Sequence, residues 1–122
     1  MNAKVNLAEK LALVDKPFSP KIVGEVNESL VKVARIEGAF VWHSHATQDE
    51  LFMVVTGRLD VEMRDRTVSL VAGEIFIVPR GVEHRTVGQP SAEVLLLQPA
   101  SLVNTGAVTN HLTSRTQDQE RI

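Results

Sequence analysis

The sequence predicts an all-β fold, a sandwich or barrel with jelly-roll closure, preceded by one short helix. Short apolar stretches with period-two alternation recur at close intervals from residue 21 to residue 98, Gly, Pro, Asn and Asp separate them, and little between them has helical spacing. The chain has 122 residues, 43% hydrophobic and 23% charged, which fits a single globular domain.

Taken in order, Asn6 followed three residues later by Glu9 has the form of a capping box, and Leu7, Leu11 and Val14 recur at helical spacing until Pro17 stops the run. A helix therefore opens a lead-in of residues 1–20. Residues 21–26 and 30–36 are β-rich and flank the turn cluster Asn27-Glu28-Ser29. Strands over 39–43 and 51–56 follow, the second ended by Gly57. Residues 58–64 alternate charged and apolar side chains, which marks a strand with one wet face. Asp65-Arg66 reverses the chain into 67–71, Ala72-Gly73-Glu74 turns it again, and 75–78 reads as a buried strand. Residues 80–83 form a loop, and strands over 84–87 and 93–98 complete a barrel assigned to residues 21–103. From residue 104 the sequence is polar and Thr-rich, so 104–122 reads as a polar C-terminal tail, running on the surface or draped over a partner.

Composition narrows the function. A net charge of -2 and a pI near 6.1 give no general attraction to phosphate backbones or anionic lipid, so nucleic acid and membrane are set aside as partners. A small molecule or a second copy of the chain remains. No cysteine is present, which excludes thiolate chemistry and leaves His and carboxylate as metal donors. Tyrosine is also missing, so proton transfer must use His, Glu, Asp, Lys or metal-bound water. With no signal-type leader and no apolar run of membrane-spanning length, the cytoplasm is the expected compartment.

The chemistry-bearing stretch is His43-Ser44-His45, with Glu50 at the start of the next apolar run and His84 behind Pro79 and Gly81. On an extended strand side chains alternate, so His43 and His45 share a face with Val41 and project inward, where an unpaired polar ring is costly. A bound ion removes that cost. Neutral imidazoles with a carboxylate suit a divalent transition metal, not magnesium or calcium.

These residues carry a resemblance. Gly38, His43-x-His45, four residues, Glu50, six residues and Gly57 resemble the first motif of the cupin superfamily, with one residue fewer between the leading glycine and the histidines. Gly73, five residues, Pro79-x-Gly81, two residues and His84 are similar to its second motif, and the stretch between the two is short, as in compact single-domain bacterial cupins. The asparagine that often ends the second motif is replaced by Gly88. The resemblance implies a double-stranded β-helix and the ligand set His43, His45, Glu50 and His84. Asp49 is the competing carboxylate, but Glu50 has the family spacing to Gly57. Four such ligands fill a tetrahedral Zn(II), whereas octahedral Fe(II), Mn(II), Ni(II) or Co(II) keeps two positions for substrate or oxygen.

Inward alternation adds Phe52 and Val54 to Val41 and Thr86 as an apolar substrate pocket around the ion, with no catalytic residue beyond the ligands assigned. Arg80 and Glu83 sit near the mouth as solvated loop charges. Arg85 and Trp42 point outward, and no inward lysine is expected. Leu51, Met53 and Val55 form an outer face too apolar for water, to be covered by the helix or a second subunit. The resemblance implies a homodimer, and a metal-dependent enzyme of dioxygenase or isomerase type acting on a small organic molecule. The alternative is a noncatalytic metal or ligand binding module.

Overall fold

A computed structural model of the chain describes residues 3–122. Helix α1 spans Leu7–Leu11, and the side-chain oxygen of its N-cap Asn6 accepts from the Glu9 backbone N–H at 3.0 Å, as the capping pattern predicts. Six strands follow among the described residues: β1 Lys21–Val26, β2 Ser29–Ala39, β3 Glu50–Met63, β4 Thr67–Val71, β5 Ile75–Val78 and β6 His84–Pro99. All pair antiparallel, in the order β1-β2-β6-β3-β4, and β5 pairs with β3 off that path. The fold is therefore all-β with one short helix, as expected.

The three long strands depart from the sequence reading. Residues 51–56 and 58–63 belong to one strand, which stops one residue short of the expected 64, and 84–87 and 93–98 likewise belong to one strand. What reads as turns are bulges: the β3/β6 register shifts between Val54 and Thr56 and between Gly57 and Leu59, and the β2/β6 register shifts between Glu37 and Gly38. Gly57 has φ +80°, and a Cβ there would lie 2.3 Å from the Ser91 carbonyl oxygen. Only glycine lets β3 bend this close to β6. With these bends β3 pairs β5 through Glu50–Met53 and β4 through residues 58–62, so one strand serves two parts of the barrel.

Two expected strands change character. Residues 40–49 form no ladder; His43 and His84 make an isolated antiparallel bridge, with N–H···O bonds of 2.9 and 2.8 Å in the two directions. Strand β5 is not buried: Ile75 and Ile77 are 55% and 51% exposed, because β5 has β3 as its one ladder partner and nothing described covers its outer side. Val78 alone turns fully inward.

The main core lies inside the barrel, where Val54, Leu59, Val61 and Val94 are fully buried beside Phe52, Leu70, Val78 and Leu96. A second cluster joins Leu11 and Val14 to Val33, with Val55 and Ile122 against it. The helix thus covers the Val55 end of the outer β3 face and leaves Leu51 and Met53 half-buried. Residues 104–122 fold back on their own barrel. The Ile22 N–H donates to Glu120 O at 2.9 Å, the Ile122 N–H donates to Ile22 O at 3.0 Å, and Thr105 is buried. No helix among the described residues is long and apolar enough to cross a membrane.

Candidate metal centre

Strand ends place the four donors. Glu50 is the first residue of β3 and shares its buried face with Phe52 and Val54; His84 is the first residue of β6 and shares its face with Thr86. His43 and His45 lie in the 40–49 segment, held there by the His43–His84 backbone pair and by the Gly81 N–H donating to His45 O at 2.8 Å. All four side chains are buried, and one ligand atom from each lies within 4.8 Å of the others. Ring centroids are 4.4 Å apart for His43–His84, 4.9 Å for His43–His45 and 5.8 Å for His45–His84. Glu50 Oε1 is 3.5 Å from His45 Nε2 and 3.6 Å from His84 Nε2.

Those separations are too long for good hydrogen bonds, and His45 Nε2, Glu50 Oε1 and His84 Nε2 are buried without a hydrogen-bond partner. Burying three polar atoms unsatisfied costs several kcal/mol, of order 1–3 each, unless one group satisfies all of them. Two of the three outer nitrogens are already used. His43 Nδ1 lies 2.8 Å from Val41 O and His84 Nδ1 lies 2.9 Å from Val82 O. A carbonyl only accepts, so each Nδ1 carries the proton and leaves Nε2 as the atom through which the neutral ring would ligate an ion. The donor set thus fits a divalent transition metal.

Electrostatics keep the donors in binding form. Burial holds the His43 imidazole down to about 4 against 6.5, helped by the neighbouring imidazoles and opposed by the Val41 carbonyl and Glu50. Burial alone would raise the Glu50 carboxyl, but the facing His45 and His84 rings outweigh it and leave the group below the usual carboxylate range. The unfolded chain thus protonates His43 near 6.5 and the folded chain only near 4, so unfolding takes up a proton between these values. Stability of the metal-free protein is therefore fully present above pH 6.5 and is expected to fall as pH drops toward 4, which urea denaturation at pH 7, 6, 5 and 4.5 will show.

Glu50 has an inner support that the sequence reading lacked. Its Oε2 accepts from Gln98 Nε2 at 2.5 Å, and Gln98 Oε1 accepts from Lys32 Nζ at 2.9 Å. Lys32 is 0% exposed. The expectation of no inward lysine is therefore corrected: on β2, Leu30, Lys32, Ala34 and Ile36 alternate onto the buried face. Burial lowers the Lys32 ammonium to about 8, opposed by the Glu50 carboxylate, so it remains cationic at neutral pH.

Beside the donors is a cavity of about 50 Å³, lined by apolar residues that include Phe18, Phe40, Phe52 and Leu96, together with Thr86, Gln98 and Asn104. Phe52 and Thr86 thus reach it, whereas Val54 packs in the barrel core and Val41 does not line the cavity. Alternation fails at Val41 because 40–49 is not a strand. Phe40 takes its place, stacked on Phe18 at 5.2 Å and edge-on to His43 at 5.6 Å. Phe18 and Asn104 come from segments whose sequence gave no inward signal.

The remaining charges are committed elsewhere. Asp49 is exposed and takes the Arg80 backbone N–H at 2.9 Å and its guanidinium at 3.2 Å, which holds the carboxyl below its usual range. Arg64 pairs with Glu83 and lies 3.8 Å over the Trp42 ring; Arg85 pairs with Glu62 at 2.7 Å. At Gly88 a Cβ would fall 2.2 Å from the Ile36 carbonyl oxygen, so no asparagine fits there. The two adjacent carboxylates separate cleanly: Asp49→Asn is expected to leave Co(II) affinity within about twofold, since exposed ion pairs contribute little, whereas Glu50→Gln is expected to lower it about a hundredfold, both read by calorimetric titration.

Comparison with known proteins agrees with this geometry. The cupin domain model matches residues 29–97, which contain all four donors, Lys32 and most of the barrel. The chain belongs to the cupin family. This cupin is similar to a cupin-2 domain containing protein from Shewanella frigidimarina, with 36% identity, a TM-score of 0.76, and coverage of 78% of this chain and 93% of that one. It is 38% identical over 65 residues to the uncharacterized protein YdbB of Bacillus subtilis (strain 168), a match that spans 52% of this chain and 58% of that protein. It also shares its fold with the hydroquinone 1,2-dioxygenase PnpCD, whose structure holds Cd2+ and 4-hydroxybenzonitrile, at 18% identity and a TM-score of 0.64, covering 81% of this chain and 82% of that one.

Proposed function

We propose that this cupin holds one divalent transition metal, Fe(II), Mn(II), Ni(II), Co(II) or Zn(II), through His43, His45, His84 and Glu50, and acts in the cytoplasm on a small organic molecule. The observation that carries this reading is the set of three buried, unsatisfied ligand atoms converging on one point. When bound, such an ion supplies Lewis acidity or a centre for oxygen chemistry, of the kind used by dioxygenases and isomerases. The chain's own residues do the rest. Gln98 and the Val41 and Val82 carbonyls fix the donors, while Phe18, Phe40 and Phe52 exclude water and shape the cavity. Metal analysis of protein expressed with iron, manganese and nickel supplied tests the first step, and near-stoichiometric metal is expected. Oxygen consumption by the Fe(II) form across catechols, diketones and small acids tests the second.

A second reading, a noncatalytic binder, has one observation in its favour. Apart from His43 and Glu50, both donors, no titratable side chain lines the cavity among the described residues. Tight ligand binding with no turnover across the same panel would select it.

The reading includes a homodimer. Paired rows on the outer sheet face, Ile77-Leu51-Leu97 and Ile75-Met53-Leu95, put six large apolar side chains side by side, with the two isoleucines more than half exposed. A patch of this kind marks a contact surface. Ile77→Lys is expected to convert a dimer to monomer in sedimentation or light scattering; a wild-type monomer would remove the dimer from the reading.

A further inference from the structure

We propose that Lys32, acting through Gln98, sets the charge of the site so that its ligand is a small oxygen-donor anion, a carboxylate or an enolate. The inference rests on the metal reading above and adds to it the class of ligand.

A buried carboxylate needs a counter-charge. Glu50 has one before any ion arrives: Lys32 is fully buried and is linked to it by Gln98, at 2.9 Å from lysine to amide and 2.5 Å from amide to carboxylate. The amide can sit only one way round, because lysine only donates and the carboxylate only accepts. Gln98 therefore couples the two charges rigidly and presents Oε2 of Glu50 to itself, leaving Oε1 toward the imidazoles. An imidazole ligates through a ring-nitrogen lone pair, so the three rings add no charge to a metal-bound site; the Val41 and Val82 carbonyls already engage Nδ1 of His43 and His84 and leave Nε2 for the ion.

Binding a dication to this arrangement leaves two positive charges in an apolar enclosure, where a site without the lysine would carry one. No second carboxylate lines the cavity among the described residues; its remaining polar side chains, Thr86, Gln98 and Asn104, are neutral. Asp49 and Glu83 are exposed and paired with Arg80 and Arg64. The compensating charge must come from the ligand, and a negatively charged oxygen is the donor that an ion of this class and an ammonium-backed amide both favour.

The experiment uses the full chain at pH 7, with Co(II) affinity from calorimetry and ligand affinity of the Co(II)-loaded protein from its visible absorption, acetate and imidazole serving as anionic and neutral probes. Lys32→Met removes the charge; Lys32→Gln removes it while keeping a donor for Gln98, and carries the test if the methionine variant folds poorly. In both variants Co(II) affinity is expected to rise roughly tenfold and acetate affinity to fall roughly tenfold, as loss of one nearby charge dictates, with imidazole affinity unchanged. Opposite signs distinguish charge from structural damage. Variants that weaken Co(II) and both probes together, or change none of them, would overturn the proposal. A wild-type protein that takes up no Co(II) would sink the metal reading and this proposal with it, whereas a wild type that binds beside unresponsive variants sinks the proposal alone.

Discussion

Replacing His84 by alanine is expected to lower the affinity for Co(II) or Mn(II) about a hundredfold or more while the barrel stays folded. Loss of an outer-shell partner alone commonly costs about 10–100-fold in metal affinity, and His84 is an inner donor whose Nε2 has no other partner. The fold survives because the His84 backbone, not its ring, makes the bridge to His43, and that bridge is retained in alanine. The ring is 0% exposed, so its removal leaves a polar void that water can fill beside the Val82 carbonyl. Calorimetric titration gives the affinity and circular dichroism the fold. Unchanged affinity in a folded variant would remove His84 from the site.

Phe52→Ala is expected to show the opposite pattern, a loss of about 3–5 kcal/mol of stability with metal affinity changed by no more than a few-fold. Phe52 is 4% exposed and sits between Leu96 of β6 and Phe76 of β5, its two cross-strand neighbours, in the main core cluster. Its ring also lines the cavity beside Glu50. Truncation therefore opens the cavity without touching a donor atom. Urea denaturation of the metal-free variant measures the cost, and a loss below about 1 kcal/mol would mean that the core around it collapses to fill the space.

The two variants also show how much could be read in advance. Strand alternation marks Glu50 and Phe52 in the first half of β3 and Leu59 and Val61 in the second as dry-face positions, and the bulges around Gly57 switch the parity so that both sets are buried. The motif spacing brought His43, His45 and His84 into the same argument. Alternation misled at Val41, since residues 40–49 follow no strand geometry and the Val41 carbonyl, not its side chain, serves the site. Lys32 was legible in principle, two positions from Leu30 and Ala34 on a period-two strand, but a lysine between apolar residues reads as solvent-facing until its partner Gln98 is known, sixty-six positions away. Phe18 and Asn104 were not legible, because segments without periodicity carry no record of what they pack against. The same holds for Ile122, which reaches the Leu11 cluster through a backbone pairing with Ile22.

All of this turns on one ion held jointly by four side chains. The most direct measurement is a crystal structure of Co(II)-loaded protein with data collected at the cobalt absorption edge. A single anomalous peak within bonding distance of His43, His45 and His84 Nε2 and of Glu50 Oε1 is the predicted result; a peak outside the barrel, or none at full Co(II) saturation, would contradict it.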